Sequence, residues 1–92
     1  MKVFVACYDI EDDAERERVA RVLGEYGERV QKSVFELVVR SDVEHEALRA
    51  HLSSVLGDGA NLRLYRLCEH CRRESRDLSG EPIARVPSAV IV

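Results

Sequence analysis

Hydrophobic residues open the chain as one continuous run, Val3-Phe4-Val5-Ala6-Cys7-Tyr8, that stops at a carboxylate, Asp9. A run of this length, rich in Val and aromatics, predicts a strand over residues 2–9 that is buried on both faces. The period then changes. Val19, Val22, Leu23 and Tyr26 recur at the spacing of one helix face. Asp12 or Asp13 supplies the N-cap, Glu15 and Glu17 complement the helix dipole, and Gly27 is the expected C-terminal stop. Over residues 29–40 alternation returns, with Phe35, Leu37 and Val39 on one face and Val30 and Val34 on the other. That change of phase predicts a bulge or strong twist near Gln31–Ser33. Ser41-Asp42 caps a second helix over about 42–56, with Ala47, Leu48, Leu52, Val55 and Leu56 inward, and Gly57-Asp58-Gly59 ends it. Residues 61–67 alternate as a strand with one buried face.

The segment 29–40 either folds back on itself around Glu36 or divides into two strands at a bend. Either way the order of elements fits an α+β, ferredoxin-like (split βαβ) arrangement, an antiparallel sheet with two helices on one face. A plain α/β unit with a three-stranded sheet is the alternative. Beyond Arg72 the chain carries Ser79-Gly80-Glu81-Pro82 and Pro87, too broken for a helix. The closing Ala89-Val90-Ile91-Val92 reads as a short apolar strand with no slot in a sheet already formed. Such a strand promotes association unless it pairs, and its simplest partner is the sheet edge of a second copy, giving a two-fold dimer. The expectation is one domain over residues 1–92, with 80–92 as a C-terminal arm and dimer-exchange strand.

Composition narrows the class. With no Trp, two Phe and three Tyr, the core must be aliphatic. No apolar stretch approaches the roughly 20 residues that span a bilayer, and the N-terminus reads as a strand rather than a signal sequence. Three cysteines leave at least one unpaired, against a secreted disulfide scaffold, so the expected location is the cytoplasm, with no membrane partner. The net charge of −3 hides an uneven distribution, because Asp9 to Glu17 holds six acids and one base. By contrast Arg63, Arg66, Arg72, Arg73 and Arg76 face only Glu69 and Glu74, a local basic stretch suited to backbone phosphates. Arginine usage that follows genome composition or a hot habitat is the plainer account of most of these positions.

A carboxylate at the end of a buried strand must be solvated, paired or bound to a metal. Asp9 either caps the turn Asp9-Ile10-Glu11-Asp12 or contributes to a site at the edge of the core. His45, His51 and His70 all lie far from it in sequence, which argues against a histidine general base. Cys68-Glu69-His70-Cys71 is half of a structural zinc site with no second half spaced for it, and metal-free thiols are expected. A thioredoxin-like redox role would want the pair at a helix start in another fold context.

Tyr8-Asp9-Ile10, Asp12-Asp13, Arg16, Arg18-Val19-Ala20 and Tyr26-Gly27, with Arg29-Val30-Gln31-Lys32-Ser33-Val34-Phe35-Glu36, together resemble the signature of a known family. It is the small CRISPR-associated endoribonuclease family (Cas-two), the second core spacer-acquisition protein. The resemblance spans nearly the whole chain and implies a ferredoxin-like homodimer in which the Asp9 carboxylates of both protomers face each other. It implies a metal-dependent nuclease acting on single-stranded RNA or double-stranded DNA. The other reading it allows is a catalytically silent dimeric adaptor that binds duplex DNA and bridges integrase subunits. Two like carboxylates in proximity call for a cation, and Mg2+, with Mn2+ as the alternative, suits one or two carboxylates plus waters and a phosphate oxygen. The family's functional positions carry over onto Tyr8, Arg16, Arg18, Arg29, Ser33 and Phe35. The arginines would contact phosphate or transition-state charge, Ser33 would donate to a phosphate, Phe35 would pack at the interface or on a base, and Tyr8 would hydrogen-bond near the metal. The same residues also admit plain roles: Arg16 and Arg18 in ion pairs on a solvated helix, Phe35 in the core, and Tyr8 as a half-buried strand tyrosine. A third class, a small-molecule-binding regulatory domain, is open to this fold, but the loops hold no ligand-binding motif.

Overall fold

A computed structural model of the chain describes residues 1–57 and 61–86. In chain order the elements are β1 (Lys2–Asp9), α1 (Asp13–Gly24), β2 (Gly27–Gln31), β3 (Val34–Val39), α2 (Asp42–Val55), β4 (Asn61–Leu67) and α3 (Glu69–Glu74). The strands form one sheet in the order β2-β3-β1-β4, with every neighbouring pair antiparallel. β3 is thus inserted between β1 and β2, the strands that α1 connects, which is the split βαβ of the ferredoxin-like fold.

Both long helices lie on one face of the sheet. Val19, Val22 and Leu23 from α1 and Leu48 and Leu52 from α2 bury against Phe4, Ala6 and Tyr8 of β1 and Phe35, Leu37 and Val39 of β3. The helix boundaries are set by local chemistry. The Asp12 carboxylate accepts the Glu15 N–H at 2.8 Å, and the Ser41 hydroxyl accepts the Glu44 N–H at 3.1 Å. Val55 and Leu56 are partly buried against the core as expected, but Ala47 is exposed. Its small side chain sits at the margin of the apolar stripe. The expected stop at Gly57-Asp58-Gly59 falls partly outside the described residues, and α2 itself ends at Val55, before Gly57.

Two expectations are corrected. The segment 29–40 is a hairpin, and the chain reverses at Lys32–Ser33, not around Glu36. The phase change between Val30 and Phe35 is therefore a passage from one strand to the next, accompanied by a register shift between Arg29 and Gln31. Gly27 does not stop α1, which ends at Gly24, but begins β2 opposite Leu37. A Cβ on Gly27 would lie 1.8 Å from the Glu36 carbonyl oxygen, so a side chain is excluded by the neighbouring backbone. A short helix that the sequence pattern does not announce, α3, has Cys68 as its N-cap, and beyond Glu74 no helix forms among the described residues, in line with the broken tail.

After α3 the chain turns back. The Asp77 carboxylate accepts the N–H groups of Ser79 and Glu81, and Gly80 sits at φ 94° in that turn. The segment then reaches β3, where the Ala84 N–H donates to the Glu36 carboxylate at 3.0 Å and Ala84 is 2 % exposed. The apolar strand expected at about 88–92 lies outside the described residues. Among the described residues no helix is long and apolar enough to cross a membrane.

Gly24 and Gly27, close together in the chain, should respond to alanine with opposite signs. A Cβ on Gly24 would meet nothing within 4 Å, and the residue lies at the helix end, so Gly24→Ala is expected to stabilise by up to ~0.5–1 kcal/mol. Gly27→Ala should cost at least ~2 kcal/mol, because backbone must move to admit the methyl group. Urea midpoints of the two variants check the pair of signs.

Candidate active site

Alternation along β1 decides which side chains share a face. Phe4, Ala6 and Tyr8 point toward the helices, so Val3, Val5, Cys7 and Asp9 belong to the opposite, open face. On that face Asp9 stands opposite Asn61 of β4, while Cys7 stands between Val34 of β3 and Arg63 of β4. Arg63 is therefore one diagonal step from Asp9, and its guanidinium donates to the Tyr65 hydroxyl at 3.0 Å. On the other flank, the Tyr8 N–H donates to the Ser33 carbonyl at 3.1 Å, which brings the β2–β3 turn alongside the end of β1. Asp9 is exposed and makes no ion pair among the described residues. Asn61 is the neighbour that sequence reasoning missed. Only the β1–β4 register reveals it, since nothing in its local sequence marks it.

The two helix arginines differ. Arg16 reaches back under the loop that follows Asp9, donating to the Ile10 carbonyl at 3.0 Å and pairing with Asp13. It fixes the path of the chain directly after the carboxylate. Arg18 is exposed on α1, with no hydrogen bond or ion pair among the described residues.

Tyr8, Phe35 and Arg29 form a cluster of their own on the helix side of the sheet. The Tyr8 and Phe35 rings stack at a centroid distance of 6.3 Å, and the Arg29 guanidinium lies 5.6 Å from the Phe35 ring centre. The same guanidinium donates twice to the Lys32 carbonyl, at 3.0 and 2.7 Å, and the Tyr8 hydroxyl reaches that carbonyl at 3.5 Å. Phe35 is core, and Tyr8 is buried rather than half-buried. Tyr8 and Asp9 project from opposite faces, so the tyrosine hydroxyl holds the hairpin turn while the carboxylate looks out from the open face.

The five candidate phosphate-binding arginines do not form one surface. Arg63 lies on the open face of β4, whereas Arg66 pairs with Phe4 and follows the helix side. Arg73 is held by Glu69 at 2.7 Å, and Arg76 donates to the carbonyls of Arg73 and Ser75. Arg66 and Arg72 do converge. With Arg85 they line a cavity of about 600 Å³ between β4, α3 and the segment after it.

The donor set that one chain offers a cation at this place is a lone carboxylate. Among the described residues no group of three or more His, Cys, Asp or Glu side chains could hold a metal ion. One carboxylate fits Mg2+ when a second carboxylate, waters or a substrate phosphate complete the shell, since this ion is commonly held by one or two carboxylates. It does not fit zinc, which wants three or four protein ligands.

Comparison with known proteins shows the family. Residues 1–75 match the family model described as CRISPR associated protein Cas2. The chain is 36% identical over 93 residues to the CRISPR-associated endoribonuclease Cas2 3 of Synechocystis sp. (strain ATCC 27184 / PCC 6803 / Kazusa), covering 100% of both chains. It is 42% identical over 65 residues to the CRISPR-associated endonuclease Cas2 2 of Thermus thermophilus, covering 70% of this chain and 71% of the relative. Among solved structures, a chain of a partial Cas6-RT-Cas1–Cas2 complex superposes with a TM-score of 0.84 at 31% identity, over 94% of this chain and 100% of that one. Streptococcus pyogenes Cas2 at pH 6.5 superposes with a TM-score of 0.72 at 26% identity, over 83% of this chain and 98% of that one. With its ferredoxin-like sheet, a carboxylate closing the first strand and a family match over most of its length, the chain belongs to the Cas2 family.

Proposed function

We propose that the protein is a homodimeric, cytoplasmic, Mg2+-dependent endonuclease of the CRISPR spacer-acquisition machinery, cutting single-stranded RNA or duplex DNA with Asp9 of two protomers at the dimer interface. The observation that carries this reading is the company Asp9 keeps. The open sheet face that bears it also bears Val5, Cys7, Val34 and Val38, all only partly buried, and the exposed Tyr65. Glu36 and Arg63 share the face, Glu36 accepting from the Ala84 N–H and Arg63 donating to Tyr65. A face with that apolar share is suited to a second copy, and a two-fold axis across it would bring the two carboxylates toward one another. The names of the relatives, endoribonuclease and endonuclease, support the reaction class.

In such a site the bound cation, Mg2+ or Mn2+, would polarise the scissile phosphate and acidify a bound water. The chain's own residues do the rest. Asp9 holds the cation, and Arg63 beside it offers a guanidinium fork to a phosphate oxygen. Arg16 fixes the loop after Asp9, and Arg29 fixes the turn that carries Ser33, whose hydroxyl would donate to a substrate phosphate. Arg18, exposed on α1, meets the nucleic-acid backbone further out.

A second reading has its own support. One carboxylate per chain is a sparse site for hydrolysis, and the chain superposes on a component of a Cas1–Cas2 complex. On that reading the protein is a catalytically silent adaptor that binds duplex DNA through its arginines and bridges integrase subunits. Cleavage assays on RNA and on duplex DNA, with Mg2+ and with EDTA, separate the two.

Asp9→Asn should lower metal-dependent phosphodiesterase activity by about 100-fold or more, the scale of losing one electrostatic partner of the transition state. The dimer should persist, and stability without metal should be unchanged or higher, since a like-charge pair is removed. Equal cleavage by wild type and variant in Mg2+ would favour the adaptor. Removal of residues after Val86 should weaken dimerisation while keeping the Ala84–Glu36 contact, and light scattering at low micromolar concentration reads the outcome. A truncated chain that stays dimeric there refutes strand exchange. Replacing Arg72, Arg73 and Arg76 together should weaken duplex binding and lower the slope of log K against log salt by up to about 3. An unchanged slope would mean that these arginines do not meet the backbone.

A further inference from the structure

Two thiols stand apart from everything assigned so far. Cys68 and Cys71 are both free and both exposed. Cys68 occupies the N-cap of α3, and its Sγ accepts the Cys71 N–H at 3.4 Å, so the two residues already sit one helical turn apart on the same face. Residues at that spacing have Cβ atoms about 5–6 Å apart, and closing this to the roughly 4 Å of a disulfide takes a small backbone shift, which falls to Cys68 because as N-cap it lies outside the helix proper. The surroundings of Cys68 add a second, independent feature. It lines the cavity of about 600 Å³ bounded by Arg66, Arg72 and Arg85, with Glu69 as the one acid and the apolar Val3 and Leu67 as a floor. A cysteine on the wall of a recess lined by three arginines and one acid is a place for an anionic molecule that can react with it.

We infer that Cys68 and Cys71 form a redox-active dithiol that exchanges with low-molecular-weight, carboxylate-bearing disulfides bound in the arginine-lined cavity. The Cys68 thiolate attacks one sulfur of the incoming disulfide, forming a mixed disulfide and releasing one thiolate. The Cys71 thiol gives up its proton and its sulfur attacks Cys68 Sγ, which forms the Cys68–Cys71 bond and releases the second thiolate. The small disulfide is reduced to two thiols by the two electrons that the cysteines lose. The roles are not interchangeable. The Cys71 N–H holds the Cys68 thiol below the ordinary cysteine range, whereas the hydrogen bond with Cys68 pushes the Cys71 thiol up. Cys68 is the attacking sulfur and Cys71 the resolving one. This inference is independent of the nuclease reading, because no residue of the Asp9 neighbourhood enters it; it shares Arg66 and Arg72 with the adaptor reading, but its test contains no nucleic acid.

The test uses the full chain, reduced and purified without chelators, with glutathione disulfide as the probe and intact mass as the readout. Wild type should lose the mass of two hydrogens and carry no lasting adduct. Cys71→Ser should accumulate one glutathione adduct, mapped to Cys68, and Cys68→Ser should react about tenfold more slowly. The double variant Arg66→Ala/Arg85→Ala should slow reaction with glutathione disulfide several-fold and leave reaction with the neutral 2-hydroxyethyl disulfide unchanged. Wild type that stays reduced, crosslinks between chains or reacts first at Cys7 overturns the dithiol. Equal slowing of both probes in the arginine variant overturns the cavity's part in it. Stoichiometric zinc in the purified protein, by elemental analysis, overturns it altogether.

Discussion

β1 is hydrogen-bonded along both edges, by β3 on one side and β4 on the other, and the rest of the molecule is arranged around that strand. Its period of two sends Phe4, Ala6 and Tyr8 into the helix-covered core and leaves Val5, Cys7 and Asp9 on the open face. A slip of one residue would bury the carboxylate among leucines and expose the tyrosine. The register is held where the core is densest, at Ala6 and Leu37, neither of which is measurably exposed. Packing on one side of the sheet thus determines the chemistry on the other. α1 and α2 pack on the other face, yet they decide which side chains the open face carries.

Much of this was legible from the chain, and the failures have physical causes. The apolar run ending in Asp9, both N-caps and the strand 61–67 were readable because each rests on a local rule of period or capping. The hairpin was not, because Lys32-Ser33 lacks the Asn-Gly or Gly-rich chemistry that marks a two-residue turn. Its geometry comes from Arg29, which grips the Lys32 carbonyl from the strand before it, an interaction that no turn rule covers. Gly27 was misjudged because glycine serves equally as a helix stop and as a point of close backbone approach. α3 has no apolar stripe to betray it, and its N-cap is a thiol rather than a hydroxyl or carboxylate.

The site divides in the same way. Asp9 could be singled out from its position alone, but the parity that separates it from Tyr8 matters only once the helix-facing side is known. Asn61 and Arg63 join it through pairing between distant stretches of chain, which sequence proximity cannot convey. Conversely, five arginines close in sequence were expected to act together, and the fold disperses them over both faces of β4 and around α3. Arg85, outside that stretch, joins Arg66 and Arg72 in a shared cavity that the linear order of the chain does not foretell.

The grip of Arg29 on the Lys32 carbonyl also separates the shape of this turn from the identity of its side chains. A turn whose shape is dictated by its own residues cannot change them without loss of fold. Here the shape is dictated from outside, by a guanidinium bonded to main chain and seated over Phe35. The side chains of Lys32 and Ser33 are therefore relieved of any conformational duty, although they border the exposed carboxylate end of β1. Their identity can therefore answer to whatever the carboxylate end of β1 meets, Ser33 included, at no cost to the hairpin.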